Sequence, residues 1–321
     1  MQLQERIYVA GHNGLVGAAL CRNLRAAGYS DVVTADRRDL DLAEGGAVQS
    51  FFREIRPAYV FLAAAKVGGI LANSTRPAEF ISQNLAIAVN VIHEAYCAGV
   101  SRLLFLGSSC IYPKACLQPI KEEYLLTGPL ESTNRAYALA KIAGIEMCRA
   151  HNFQYATKYV AVMPTNLYGP GDNYDLQNSH VIPALVRKMH EAKVRGEDSV
   201  TVWGTGSPRR EFLHVDDLAN ACVFLMNLPP ERYDAIVAMD PPLLNVGCGE
   251  DLTIADLARL IGEVVGSTAN ICWDRDQPDG TPRKLLDASR MRALGWSPSI
   301  SLRDGIAATY RQYLREMSLS L

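Results

Sequence analysis

Tyr137 and Lys141 stand four residues apart in "YALAK", and Ser108 lies two residues before Cys110 in "LFLGSSCIYP". A phenol, an ammonium and a hydroxyl can together exchange a proton with a carbonyl oxygen while hydride adds to its carbon. On a helix, a spacing of four puts Tyr137 and Lys141 on one face. The ammonium is then expected to lower the phenol pKa. Ser108 follows an apolar run, and the carboxyl ends of strands are where open α/β sheets place their ligands. From there it can donate a second hydrogen bond to the same oxygen. Cys110 raises a separate question. Reduction needs no thiol, and a cytosolic cysteine is ordinarily a small buried hydrophobe.

A second constellation opens the chain. "GHNGLVG" spaces Gly11, Gly14 and Gly17 as G-x-x-G-x-x-G, directly after the apolar run "RIYVAG". Such glycines let the backbone turn tightly and approach a pyrophosphate seated on a helix N-terminus. Asp36 lies about twenty residues beyond, where an acid binds a ribose 2′-hydroxyl and favours NAD. Arg37 and Arg38 follow it, and an arginine there suits the 2′-phosphate of NADP. The two signals pull in opposite directions. Asp41 and Leu42 are expected to flank the adenine.

These residues need a frame. Short β-rich runs ("DVVTADR", "AYVFLAAAKVGG", "SRLLFLGSS", "YVAVMPTNLYGP") alternate with helical stretches, one of them over about 135–152. That alternation indicates α/β architecture: a Rossmann-type doubly wound parallel sheet, covered on both faces. After about residue 165 prolines, glycines and aromatics become frequent. We therefore expect a dinucleotide-binding domain over 1–165, with later segments at about 211–240 returning to it. A smaller α/β substrate domain is expected over 166–321.

The 321 residues are 49% hydrophobic and 21% charged, with a net charge of −2, so a packed globular chain is expected. No general basic field is present for nucleic acid or an anionic membrane, so neither is expected as a partner. An anionic ligand has to be met by local cations. The first strand begins almost at once, leaving no room for a signal peptide, and a cytoplasmic location is expected. The eight cysteines form no C-x-x-C pair and suggest no metal site.

The chain resembles the extended short-chain dehydrogenase/reductases over essentially its whole length. Within them "LAAAKVGGI", "GSSCIYP", "MPTNLYGPGDN", "SHVIPAL", "RREFLHVDD" and "DGTPRKLLD" resemble the GDP-L-fucose synthase family. That resemblance implies NADP(H) and a GDP-4-keto-6-deoxy-D-mannose substrate, epimerised at C3 and C5 and then reduced at C4. The ketone acidifies the flanking C–H bonds, and inverting each carbon needs a base and an acid. The resemblance assigns these roles to Cys110 and His180. Ser108 and Tyr137 would hold the enolate oxygen. A cation near the thiol would bring its ionisation toward neutral pH. Taken singly, Cys110 suits a buried filler and His180 a helix cap; the matching flanks favour chemistry. As proton donors the other five histidines, His12 included, lack such flanks.

The resemblance further implies cofactor contacts from His12, Asn13, Leu15, Val16, Leu106, Gly107, Pro164, Asn166, Leu167 and His180, beside Ser108 and Lys141. It gives Lys188, Trp203, Arg210 and Asp279 to the substrate. The acids of "HVDDLANA" are expected to cap a helix. In superfamily members, helices corresponding to 79–98 and 136–152 pair into a four-helix bundle, which implies a homodimer. One departure stands out. Family members often carry an arginine where this chain has Asn13, so NADPH is expected to be preferred with NADH used appreciably. A GDP-L-colitose synthase, which epimerises only C5, or another sugar-nucleotide reductase or epimerase remains open.

Overall fold

A computed structural model describes residues 1–176, 179–277 and 279–319. Six parallel strands form its central sheet: β1 (Ile7–Ala10), β2 (Val32–Val33), β3 (Tyr59–Leu62), β4 (Arg102–Leu106), β5 (Tyr159–Pro164) and β6 (Leu243–Val246). Their order is β6-β5-β4-β3-β1-β2. Four of them are buried along their whole length, which is why "IYVA", "YVFL" and "YVAVMP" read as apolar runs rather than alternating ones, and "LLNV" is broken only by Asn245, whose side-chain atoms and backbone N–H are all hydrogen-bonded. Ile7 and Val9 face one core and Tyr8 and Ala10 the other, so each strand serves two layers of helices.

The chain runs from β1 outward to β2 and then crosses back to β3. The strand order therefore reverses between β1 and β3, and a crevice opens beyond their carboxyl ends. The helix Leu15–Ala26 starts directly from the β1 turn. The helix Arg135–Tyr155 packs beside Pro77–Cys97, whose first residue is a proline that needs no intrahelical N–H partner.

The segment that returns to the sheet extends beyond residue 240. The helix Val215–Met226 contributes Leu218, Cys222 and Met226 to one core, and β6 then pairs with β5. His214, not an acid, caps this helix: its Nδ1 accepts from the Asp216 amide at 3.2 Å. Asp216 instead pairs with Arg22 at 2.6 Å, and buried Asp217 accepts from the Ser299 and Ile300 amides. The acids of "HVDDLANA" thus tie segments together and leave the cap to their neighbour.

A third core fills the smaller lobe between the helices Val181–Arg195, Ile254–Val265 and Leu302–Leu319. Short strands complete it. Ser199–Trp203 pairs with Asn270–Asp274, and Arg209–Arg210 lies between Leu252–Thr253 and Arg283–Lys284. That last pairing brings residues more than seventy positions apart to the edge of the main sheet, where Ile120 bridges Leu286.

Candidate active site

The glycine turn has the shape that a dinucleotide requires. Gly11 adopts φ +86, and a Cβ on it would lie 2.7 Å from the Ala64 backbone. The turn after β1 and the chain leaving β3 therefore touch at the switch point, with no side chain between them. A Cβ on Gly17 would meet the Gly11 carbonyl at 2.1 Å, so the following helix is pressed against the turn. Leu15 and Val16 are partly buried against the core beneath. This cradle, closed to a Cβ at Gly11 and at Gly17, fits a pyrophosphate approaching backbone.

The adenosine end is shaped by charge. Asn13 Nδ2 donates to Asp36 Oδ1 at 2.5 Å. His12 Nε2 lies 3.5 Å from the same oxygen. Arg37 turns away and meets Asp41 at 3.3 Å. Leu42 is buried in the core, and its carbonyl accepts from Asn90 Nδ2 at 2.9 Å.

The reacting groups gather where β4 ends. Lys141 is 4% exposed, and its Nζ donates to the Leu106 carbonyl at 2.7 Å. The ammonium sits 4.8 Å from the Phe105 ring centre and 5.8 Å from that of Tyr137. Ser108 Oγ accepts from the Cys110 amide at 3.5 Å and starts the short turn Ser109–Ile111. The Gly107 amide donates to Val162, the β5 residue two before Pro164. The spacing of four thus does place Tyr137 and Lys141 together, and the strand end does bring Ser108 to them.

Electrostatics corrects one expectation. Burial pushes the Tyr137 phenol above its ordinary value, the Cys110 thiol adds to the rise, and the Ser108 hydrogen bond opposes it. Burial outweighs the nearby ammonium of Lys141, and the net shift is upward. The Lys141 charge is directed into the Leu106 carbonyl, and burial brings the pKa of Lys141 down to about 8. Burial likewise raises Cys110. Four contributions oppose that rise, in the order Lys284, the Ser108 hydrogen bond, Lys141 and the backbone amide of Cys110 itself.

Lys284 was not singled out from the sequence. It lies in "DGTPRKLLD", on the strand that pairs with Arg209–Arg210. Only this long-range pairing brings it to the thiol, and local spacing carries no trace of it. Glu211 was also missed. It is fully buried and accepts from the Gly249 amide at 2.7 Å and the Leu286 amide at 3.0 Å. Its carbonyl takes Asn166 Nδ2 at 2.8 Å, so one residue ties the short strand Asn166–Tyr168 to the strand carrying Lys284.

His180 stands at the N-cap of Val181–Arg195 without a side-chain cap bond. It is exposed, yet enough protein surrounds it that desolvation lowers its pKa; no charged partner contributes. The residues expected at the substrate are partly or largely exposed. Trp203 is 65% exposed. Lys188 donates to the Thr201 carbonyl at 2.9 Å, and Arg210 to those of Arg209 and Thr281 at 2.8 and 2.5 Å. Asp279 accepts from the Thr205 amide and hydroxyl at 2.9 and 2.6 Å, which holds the "GTG" turn.

Known proteins resemble this chain over nearly its whole length. The model of the NAD dependent epimerase/dehydratase family matches residues 7–237. GDP-L-fucose synthase 1 of Arabidopsis thaliana is 55% identical over 97% of this chain and 94% of its own. GDP-L-fucose synthase of Escherichia coli K12 is 51% identical over 97% of each. Among solved structures, the GDP-mannoheptose C4 reductase MlghC of Campylobacter jejuni with NADP bound superposes with a TM-score of 0.89. It is 38% identical and covers 98% of this chain and 99% of that one. With a family model spanning most of its length and relatives identical at more than half of their positions, the chain belongs to the NAD dependent epimerase/dehydratase family.

Proposed function

We propose that this chain is a GDP-L-fucose synthase. It converts GDP-4-keto-6-deoxy-D-mannose to GDP-L-fucose by epimerisation at C3 and C5 and NADPH-dependent reduction at C4. The observation that carries this reading is the Cys110 thiol. It is buried, bonded to Ser108, and under the charge of two lysines within a carbonyl-reduction row that needs no thiol. Full-length similarity to named GDP-L-fucose synthases supports the same substrate.

In this reading Cys110 takes the proton from C3 and C5 in turn, and His180 returns one from the opposite face. Ser108 and Tyr137 donate hydrogen bonds to the C4 oxygen, which gathers negative charge each time a proton leaves its neighbour. Lys284 and Lys141 stabilise the thiolate that burial opposes. When bound, NADPH supplies the hydride that reduces C4. Tyr137 then gives its proton to the C4 oxygen, and Lys141 holds charge beside the phenol. Gly11, Gly14 and Gly17 would cradle the pyrophosphate, with Leu106, Gly107, Pro164, Asn166 and Leu167 lining the nicotinamide side. Lys188, Trp203, Arg210 and Asp279 would meet the GDP-sugar, Asp279 by fixing the turn beside Trp203. Residues 1–165 with the returning segment to Val246 would hold the dinucleotide, and the remainder the sugar nucleotide.

A homodimer is part of the proposal. The helices Pro77–Cys97 and Arg135–Tyr155 pack on one another and still expose Val89, Tyr96, Leu139, Phe153 and Tyr155. Light scattering at micromolar concentration should give twice the chain mass; a monomer would sink this part. A cytoplasmic location suits eight unpaired cysteines. Among the described residues, no helix is long and apolar enough to cross a membrane.

The test is product identity. With GDP-4-keto-6-deoxy-D-mannose and NADPH, NMR should show GDP-L-fucose. A product reduced at C4 with C3 and C5 unchanged would make this a simple reductase. Turnover only of the 3-deoxy ketosugar would favour a GDP-L-colitose synthase, a name carried by a Yersinia pseudotuberculosis relative at 35% identity.

A further inference from the structure

Two cations of the proposed site sit on strands of only two residues each. Arg209–Arg210 runs parallel to Arg283–Lys284, with Arg209 opposite Arg283 and Arg210 opposite Lys284. Like charges directly opposite one another push strands apart, and so short a ladder resists little. One carboxylate answers this. Asp251 stands just before the third strand, Leu252–Thr253, and its side chain is only 4% exposed. Its Oδ1 accepts from Arg209 Nε at 2.9 Å, and its Oδ2 accepts from Arg283 Nε. Its carbonyl takes Arg209 Nη2 at 2.8 Å. Successive side chains on a strand point to opposite faces, so Arg210 and Lys284 stand on the other one. Arg209 and Arg283 are thus ion-paired, whereas among the described residues Arg210 and Lys284 make no ion pair.

We propose that Asp251 is a positioning residue: it neutralises Arg209 and Arg283 on one face, so that Arg210 and Lys284 are presented in register on the other, toward the sugar diphosphate and Cys110. Asp251 acts only through those strands and touches no reacting atom. The groups that face the Cys110 thiol are Lys284, Lys141, Ser108 and Tyr137, and of these only Lys284 is carried by the clamped strands. This rests on the GDP-sugar reading above and adds the group that sets its cations.

The test uses the full chain and two probes: GDP in calorimetric titration, and iodoacetamide on Cys110, followed against pH by peptide mass spectrometry. In Asp251→Asn charge and position predict opposite signs. Loss of a nearby negative charge would by itself tighten an anion and ease ionisation of the thiol. Loss of register should instead weaken GDP about tenfold or more and move the alkylation midpoint to higher pH. Asp251→Asn combined with Arg283→Gln removes the repulsion together with the acid and should recover most of both losses. Tighter GDP, a midpoint at lower pH, or native values in Asp251→Asn would overturn the inference. Losses that the double variant does not recover would mean a disrupted lobe, and a change in one probe alone would mean strands that move separately; either overturns it. In each of these cases GDP binding by the native chain leaves the GDP-sugar reading standing. Failure of the native chain to bind GDP would overturn that reading and the inference with it.

Discussion

Around Tyr137, Lys141 and Cys110 loss of water is the first cause of every titration shift, as it is at Lys188 and Arg210, whereas Asp279, proposed to meet the same substrate, is governed first by its bond to Thr205. Trp203 beside it stays largely in solvent. The contrast separates two tasks. In the row a proton must change hands where water is scarce, so each neighbouring charge counts heavily. In the proposed substrate rim a ligand would be recognised, and Asp279 and Trp203 stand where solvent can be replaced by it. Substitutions in the row should therefore act on rates and pH profiles, and substitutions at the rim on KM.

The largest expected effect comes from Tyr137→Phe. If the row acts as one unit, both C4 reduction and proton exchange at C3 and C5 should fall by about 10² to 10⁴, the range of a positioned acid or base. Single-turnover kinetics at saturating substrate would measure this. Exchange at the native rate would split the unit and leave Tyr137 to reduction alone.

Lys284→Met probes the same region from its far side. Lys284 is the first of the groups pulling the Cys110 pKa down, so its loss should raise that pKa further. The pH profile of exchange should move to higher pH, and one pK unit would cost about tenfold at neutral pH. A change confined to KM would place Lys284 with the rim.

Lys141 gives the comparison a stability readout. Its pKa is near 8 in the folded chain against an ordinary 10.5, so burial opposes the charged form. Between those values the unfolded chain binds more protons than the folded one, and stability rises with pH. The penalty is complete below about pH 8 and gone above 10.5. Denaturant melts across this window should show the rise in the native chain and a flatter line in Lys141→Met. Parallel lines would mean that the ammonium keeps its water.

The smallest effect is expected at the rim. Asp279→Ala frees the Thr205 amide and hydroxyl and should raise the substrate KM by no more than a few-fold, with kcat unchanged. A collapse of kcat would show that the "GTG" turn reaches into the row.

Much of the row was legible in sequence because its geometry is local. Four residues on one helix define the Tyr137–Lys141 pair, and a strand followed by glycine and serine defines Ser108. The glycine cradle is legible for the same reason. Lys284 and Glu211 escaped notice because neither has a local signal. Each is brought in by pairing between segments far apart in sequence. The pKa of Tyr137 was misjudged because spacing shows a cation nearby but not how deeply the phenol is buried. The helix cap was misassigned because His214 does the work that acids usually do. The returning segment was read as ending near residue 240, since nothing in "DPPLLNVG" distinguishes an edge strand of the large sheet from one of the small lobe.

The most direct measurement is deuterium uptake in D₂O with GDP-4-keto-6-deoxy-D-mannose and no NADPH, comparing the native chain with Cys110→Ser. Mass spectrometry and NMR should find deuterium at both C3 and C5 with the native chain and at neither with the variant, while the variant still reduces C4 once NADPH is added. Exchange by Cys110→Ser at the native rate would contradict the role of the thiol and return Cys110 to the core as a buried side chain.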